Sequence, residues 1–110
     1  MRRLATLDVG TNTVLLLVVE IQDDGSVRVL HDGMEITRLG EGALEDNLLK
    51  KEPMARTVNA IAEASEKVKQ LGAEWAGAVT TAAVRAASNG RAFLLMANAV
   101  GAPVHVISGE

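Results

Sequence analysis

The stretch LATLDVGTNTVLLLVVE, residues 4–20, decides the fold of this chain. Its two apolar runs are rich in Val and Leu, which predicts buried β-strands over Leu4–Val9 and Thr13–Ile21. A tight turn between the strands gathers backbone N–H groups and hydroxyls in one small volume, which suits phosphate oxygens. The alternative is a hairpin turn whose polar side chains only cap the strands. The polar residues around this turn are Asp8, Gly10, Thr11, Asn12 and Thr13.

The composition is that of one small globular domain. The chain has 110 residues, of which 48% are hydrophobic and 2% aromatic, so aliphatic side chains must form the core. It has no cysteine, which excludes disulfides and thiolate metal sites. A net charge of −3 provides no positive field for nucleic acid, and the apolar run Val14–Val19 is too short to span a bilayer. We expect a soluble, cytoplasmic protein that binds neither nucleic acid nor membrane.

Strand and helix signals follow one another along the rest of the chain. Asp24-Gly25 predicts a hairpin that leads into a third strand, and residues 37–53 show no sustained period and are predicted as a loop. Strand–helix–strand connections favour parallel pairing with right-handed crossovers, so the later strands are expected to join a mixed sheet. The predicted elements are a strand at Ser26–Ile36, a helix at Pro53–Leu71, a strand at Trp75–Thr80, helices at Ala82–Ala87 and Gly90–Val100, and a strand at Pro103–Ile107.

Four short blocks occur in an order and spacing that resemble one protein family. The blocks are LDVGTNTVLLLV at 7–18, TRLGEG at 37–42, AVTTAAVRAASN at 78–89 and VISGE at 106–110. Together they resemble the exopolyphosphatase and guanosine pentaphosphate phosphohydrolase family of the actin-like ATPase superfamily. The resemblance implies an α/β fold, a ribonuclease H-like lobe with a five-stranded mixed sheet of order 3-2-1-4-5 and flanking helices. It makes residues 1–110 a single N-terminal lobe of a two-lobe phosphohydrolase.

The resemblance also implies an activity and assigns roles to residues. Family members release terminal phosphate from inorganic polyphosphate or guanosine pentaphosphate with a water molecule and usually Mg²⁺. Asp8 would be the metal-side carboxylate, since a charge at the end of an apolar strand is costly to bury without a cation. Asn89 matches a family asparagine and is predicted to cap a helix. The residues that would bind substrate are Gly10, Thr11, Asn12, Thr13, Arg38, Thr81 and Arg85.

No general base is expected within the chain. In the family it is a glutamate about three residues after the glycine of the ISG block, whereas this chain ends at Glu110, one residue after Gly109. We therefore expect the chain alone to be inactive and the full-length parent to be an active homodimer. Three positions depart from the family pattern: Leu15 replaces a basic residue, Ala82 a serine and Ala86 an aspartate.

Two other functions remain open. The departures at Ala82 and Ala86 are compatible with a regulatory protein that binds polyphosphate or a nucleotide without catalysis. An ATPase or sugar kinase of the same superfamily would need an adenosine pocket, which nothing in these residues supports.

Overall fold

A computed structural model describes residues 1–107 and arranges them around one mixed β-sheet. The sheet has the order β3-β2-β1-β4-β5, which confirms the predicted order. The first three strands are antiparallel, whereas β4 runs parallel to β1 and β5 parallel to β4. The predicted glutamate run, with Gly109 and Glu110, lies outside the described residues. The strands are β1 (Arg2–Val9), β2 (Thr13–Ile21), β3 (Val27–Ile36), β4 (Glu74–Thr80) and β5 (His105–Val106).

Four helices connect or flank these strands within the described part of the chain. They are α1 (Ala43–Asp46), α2 (Lys51–Gln70), α3 (Ala82–Ala86) and α4 (Gly90–Ala99). The prediction of a loop over residues 37–53 is wrong in two places, since it missed α1 and placed the start of α2 at Pro53. Proline is tolerated throughout the first turn of a helix, because the first four N–H groups have no intrahelical acceptor. No helix in residues 1–107 has the length and apolarity that crossing a membrane requires.

The core lies on one face of the sheet. Alternate side chains of β1 and β2 point to opposite faces, and only one set is buried against the helices. Ile61 and Val68 of α2 and Phe93 of α4 pack into the same cluster. On the other face Leu15, Leu17 and other apolar side chains are exposed. The buried strand residues are Ala5, Leu7, Val9, Val14, Leu16 and Val18.

Candidate functional site

The polar turn lies at the edge of the sheet where two parallel strands end. Val9 pairs with Thr80, so Gly10 and Thr81 leave neighbouring strands at the same edge. Gly10 N–H donates to the Thr13 carbonyl at 2.8 Å and closes the turn. The buried Thr80 hydroxyl donates to the Val9 carbonyl at 2.8 Å and ties the two strand ends together. Ligands of open α/β sheets commonly bind outside the carboxyl ends of parallel strands.

The loop that carries Arg38 folds back onto this turn. The Thr37 and Arg38 N–H groups both donate to the Asn12 carbonyl, at 2.9 and 3.0 Å, and Gly40 N–H donates to the Thr11 carbonyl at 2.9 Å. Arg38 has φ 52°, in the left-handed region that residues with a side chain rarely adopt. These backbone bonds hold the unusual conformation in place, so the exposed Arg38 side chain starts from a fixed position beside the turn.

Arg56 of α2 holds the same loop from the other side. Its Nε donates to the Thr37 carbonyl at 3.1 Å, and its guanidinium forms an ion pair with Glu41 at 2.6 Å. Glu41, the carboxylate closest in sequence to Arg38 within this loop, is thereby paired with Arg56. Arg38 itself has no side-chain hydrogen bond or ion pair with any of residues 1–107. Its positive charge is available for an anionic ligand.

Thr81 and Arg85 approach from the neighbouring strand end. Thr81 immediately precedes α3, and its hydroxyl is buried without a hydrogen-bond partner among residues 1–107. Arg85 lies on α3, is exposed, and likewise forms no side-chain hydrogen bond or ion pair within the described part of the chain. An orphaned hydroxyl and an unpaired guanidinium on one short segment are groups that a bound anion would satisfy.

The predicted substrate-binding residues are brought together only in part. Thr11, Asn12 and Arg38 line one open cleft of about 650 Å³, together with Asn47, Ala86 and other residues of the 40–47 loop and α3. Gly10 and Thr13 form the base of the turn but do not line this cleft. Thr81 and Arg85 do not line it either, although Ala86, the residue after Arg85, does.

Asp8 lies one residue before the end of β1, on the sheet face opposite the helices. It is exposed there, beside Leu15 of β2 and Val79 of β4, so the predicted burial cost of this carboxylate does not arise. Residues 1–107 contain no group of three or more His, Cys, Asp or Glu that could hold a metal. A single carboxylate nevertheless fits Mg²⁺, which usually keeps several waters and binds through one or two carboxylates plus substrate phosphates.

Asn89 is a residue whose role the sequence did not reveal. It occupies the N-cap position of α4, as predicted, but its side chain makes no capping hydrogen bond. Its Oδ1 instead accepts from Leu49 N–H at 2.9 Å and its Nδ2 donates to the Leu49 carbonyl at 2.9 Å. Ser88 N–H donates to the Asn47 carbonyl at 2.9 Å, and Asn47 Nδ2 donates to the Ala86 carbonyl.

The sheet order, the helices and the position of the polar turn define the ribonuclease H-like fold found in actin-like ATPases. The ethanolamine utilization protein EutJ of Carboxydothermus hydrogenoformans, 17% identical, shares this fold with a TM-score of 0.50 over 98% of the chain and 37% of its own. The sequence model of the Ppx/GppA phosphatase family matches residues 17–110. The chain therefore belongs to the Ppx/GppA phosphatase family.

Individual relatives agree with this assignment. The chain is 38% identical over 107 residues to the guanosine-5'-triphosphate,3'-diphosphate pyrophosphatase of Vibrio vulnificus, covering 96% of the chain and 21% of that relative. It is 33% identical over 110 residues to a putative exopolyphosphatase of Haemophilus influenzae, covering 99% of the chain and 34% of that relative. The crystal structure of the Aquifex aeolicus Ppx/GppA phosphatase superposes with a TM-score of 0.93 at 30% identity, covering 100% of this chain and 37% of the other. The chain thus spans about a fifth to just over a third of these relatives.

Proposed function

We propose that the chain is the phosphate-binding lobe of a hydrolase that releases terminal orthophosphate from inorganic polyphosphate or guanosine pentaphosphate. The observation that carries this proposal is the cleft formed by Thr11, Asn12 and Arg38, with Arg38 fixed by backbone hydrogen bonds and its charge unpaired in the described residues. The names of the Vibrio and Haemophilus relatives support the two substrates.

Each side chain of the site has a defined task in this proposal. Arg38 binds phosphate oxygens from the loop, and Arg85 binds them from α3, because a planar guanidinium can donate two parallel hydrogen bonds to a phosphate. The resemblance assigns the Thr81 hydroxyl to the same anion; in the described residues this hydroxyl is unpaired, but it is buried and outside the lining of the cleft. Asp8 would hold Mg²⁺, which neutralises charge on the phosphate oxygens when it is bound. Phosphoryl transfer then depends mainly on positioning and on charge stabilisation, with a general base supplied from outside these residues.

A second candidate is a regulatory protein that binds the same phosphate chain without cleaving it. Ala86 lines the cleft at the position where the family pattern has an aspartate. At this position the cleft therefore has no carboxylate, which weakens repulsion of an anion and removes a group that could take part in proton transfer or metal binding. Glu41 also lines the cleft, but it is paired with Arg56. This observation favours binding over turnover.

Phosphate release by the full-length parent tests both candidates. We expect release from polyphosphate or guanosine pentaphosphate, with Mg²⁺ present, and little release from ATP. Removing one charge-assisted hydrogen-bonding group costs about 1.5–3 kcal/mol, so Arg38→Ala and Arg85→Ala should each lower kcat/KM roughly 10- to 100-fold.

Arg91→Ala is the matched control, because Arg91 is an exposed arginine on α4 and should leave kcat/KM unchanged. Binding of a phosphate chain without any release would favour the regulatory protein. A wild-type kcat/KM in all three variants would exclude the proposed site.

A further inference from the structure

We infer that Asn89 is a positioning residue, which holds the loop that carries Arg38 against the helix that carries Arg85. This inference rests on the proposed function, because it assigns the two arginines to one anion. Asn89 itself does not line the cleft. It acts through a hydrogen-bonded bridge between residues 47–49 and residues 86–89.

The bridge consists of four hydrogen bonds. Asn89 contributes two of them, because its side-chain amide accepts from Leu49 N–H and donates to the Leu49 carbonyl. The other two join the Asn47 carbonyl to Ser88 N–H and the Asn47 side chain to the Ala86 carbonyl. Leu49 is buried in the core, so the bridge is anchored on that side.

One side of the bridge leads to Arg38 through consecutive backbone hydrogen bonds. Asn47 N–H donates to the Ala43 carbonyl at 2.9 Å, and Ala43 N–H donates to the Gly40 carbonyl at 3.0 Å. Glu41 N–H in turn donates to the Arg38 carbonyl at 3.0 Å. The segment from Arg38 to Leu49 therefore has little freedom to move independently of Asn89.

The other side leads to Arg85 through a close backbone contact. Gly90, the neighbour of Asn89, lies so near α3 that a Cβ built on it would be 1.8 Å from the carbonyl oxygen of Val84. Val84 precedes Arg85 on α3, so a displacement at Asn89 is transmitted directly to Arg85. A side chain that only capped α4 would have no such connection to the loop.

The test compares variants of the full-length protein. Asn89→Ala removes both bonds to Leu49, whereas Asn89→Asp keeps the acceptor for Leu49 N–H and loses the donor. Asn98→Ala is the matched control, because Asn98 is an exposed asparagine on the same helix. For each variant we would measure Tm, kcat and KM for phosphate release, and the Kd of inorganic tripolyphosphate by calorimetry.

We expect Asn89→Ala to raise KM and the tripolyphosphate Kd about tenfold with a smaller change in kcat, and Asn89→Asp to lie between Asn89→Ala and wild type. In a double-mutant cycle, Arg85→Ala should cost less in the Asn89→Ala background than in wild type, because Arg85 is already misplaced there. A role confined to stability would lower Tm and leave this coupling at zero.

Two results would overturn the inference while leaving the proposed function intact. One is an Asn89→Ala protein whose KM and Kd match those of Asn98→Ala. The other is an undiminished cost of Arg85→Ala in the Asn89→Ala background. A wild-type protein that neither releases phosphate nor binds tripolyphosphate would instead overturn the proposed function and this inference with it. If the wild type binds tripolyphosphate but releases no phosphate, the same double-mutant cycle, measured on the tripolyphosphate Kd, shows whether Asn89 and Arg85 are coupled.

Discussion

Replacing Gly90 with alanine should destabilise the chain strongly, because this glycine is required by packing and not by backbone conformation. Its φ is not positive, but its Cβ would lie 1.8 Å from the carbonyl oxygen and 2.9 Å from the carbonyl carbon of Val84. Contacts of Cβ atoms below 3.0 Å are essentially never seen, so α3 and α4 must separate by about 1.2 Å. Gly90, Val84 and Phe93 are all buried, which leaves little room for that shift.

The expected magnitude follows from two opposing contributions. Overpacking of a core usually costs about 1–3 kcal/mol, and a clash with a backbone carbonyl falls at the upper end because no side-chain rotation relieves it. Alanine favours a helix over glycine by at most about 1 kcal/mol, so a net loss of about 2 kcal/mol remains. For a domain of this size about 1 kcal/mol shifts Tm by roughly 4–8 °C. We therefore expect Tm to fall by roughly 8–16 °C.

Thermal unfolding followed by circular dichroism would measure this change. Gly77→Ala is the matched control, because Gly77 lies in β4 with nothing within 4 Å of the added Cβ. A Gly90→Ala protein with a Tm at or above that of Gly77→Ala would refute the close contact between α3 and α4. It would also remove the connection through which Asn89 is inferred to position Arg85.

Two further predictions concern Glu20 and Arg56. Glu20 is a buried carboxylate that accepts hydrogen bonds from Gln22 at 2.6 Å and from Arg3 at 2.8 Å. The bond from Gln22 and, to a smaller extent, the bond from Arg3 lower the pKa of Glu20 below the ordinary 4.5. The ionised form thus stabilises the folded state above the unfolded pKa, and this stabilisation is lost as pH falls through the folded pKa. Glu20→Gln should make Tm fall less steeply with decreasing pH below about pH 4.5. The control Glu66→Gln, at an exposed site, should show the same fall of Tm as the wild type. Equal slopes of Tm against pH in the two variants would contradict the prediction. Arg56→Ala should change stability by only about 1 kcal/mol or less but raise KM several-fold, because it frees Glu41 to compete with phosphate for Arg38. Lys69→Ala on the same helix is its control, and an unchanged KM in both would argue against a role for Arg56 in holding the loop.

The sheet was predictable because its signals are local or carried by the family resemblance. The Val- and Leu-rich runs at Leu4–Val9 and Thr13–Ile21 identified β1 and β2, and Asp24-Gly25 marked the hairpin to β3. Helix α1 was missed because four residues are one helical turn, in which no apolar period can be read. The last strand was predicted over Pro103–Ile107, but β5 covers only His105–Val106, beyond which Ile107 N–H still donates to the Thr80 carbonyl at 3.1 Å.

The site was predictable only where it is contiguous. The turn at residues 10–13 could be recognised as a group, and the resemblance added Arg38 and Arg85 as separate positions. The contacts that hold these positions together join residues far apart, such as Asn89 with Leu49 across 40 positions. A side-chain amide that bonds a distant backbone leaves no periodicity or spacing in the sequence. The metal role of Asp8, the homodimer and the cytoplasmic location stay predictions.

The conformation of Arg38 gives an independent reason to place function at this loop. Its φ of 52° is a position that Gly or Asn would occupy with less strain, yet the chain places a long, charged side chain there. Strain of this kind persists only when neighbouring contacts over-determine the backbone, and the bonds to Asn12, Thr11 and Arg56 do so. None of these bonds uses the Arg38 guanidinium. The residue type is thus not explained by these folding contacts, whereas the proposed function requires a fixed positive charge beside the cleft.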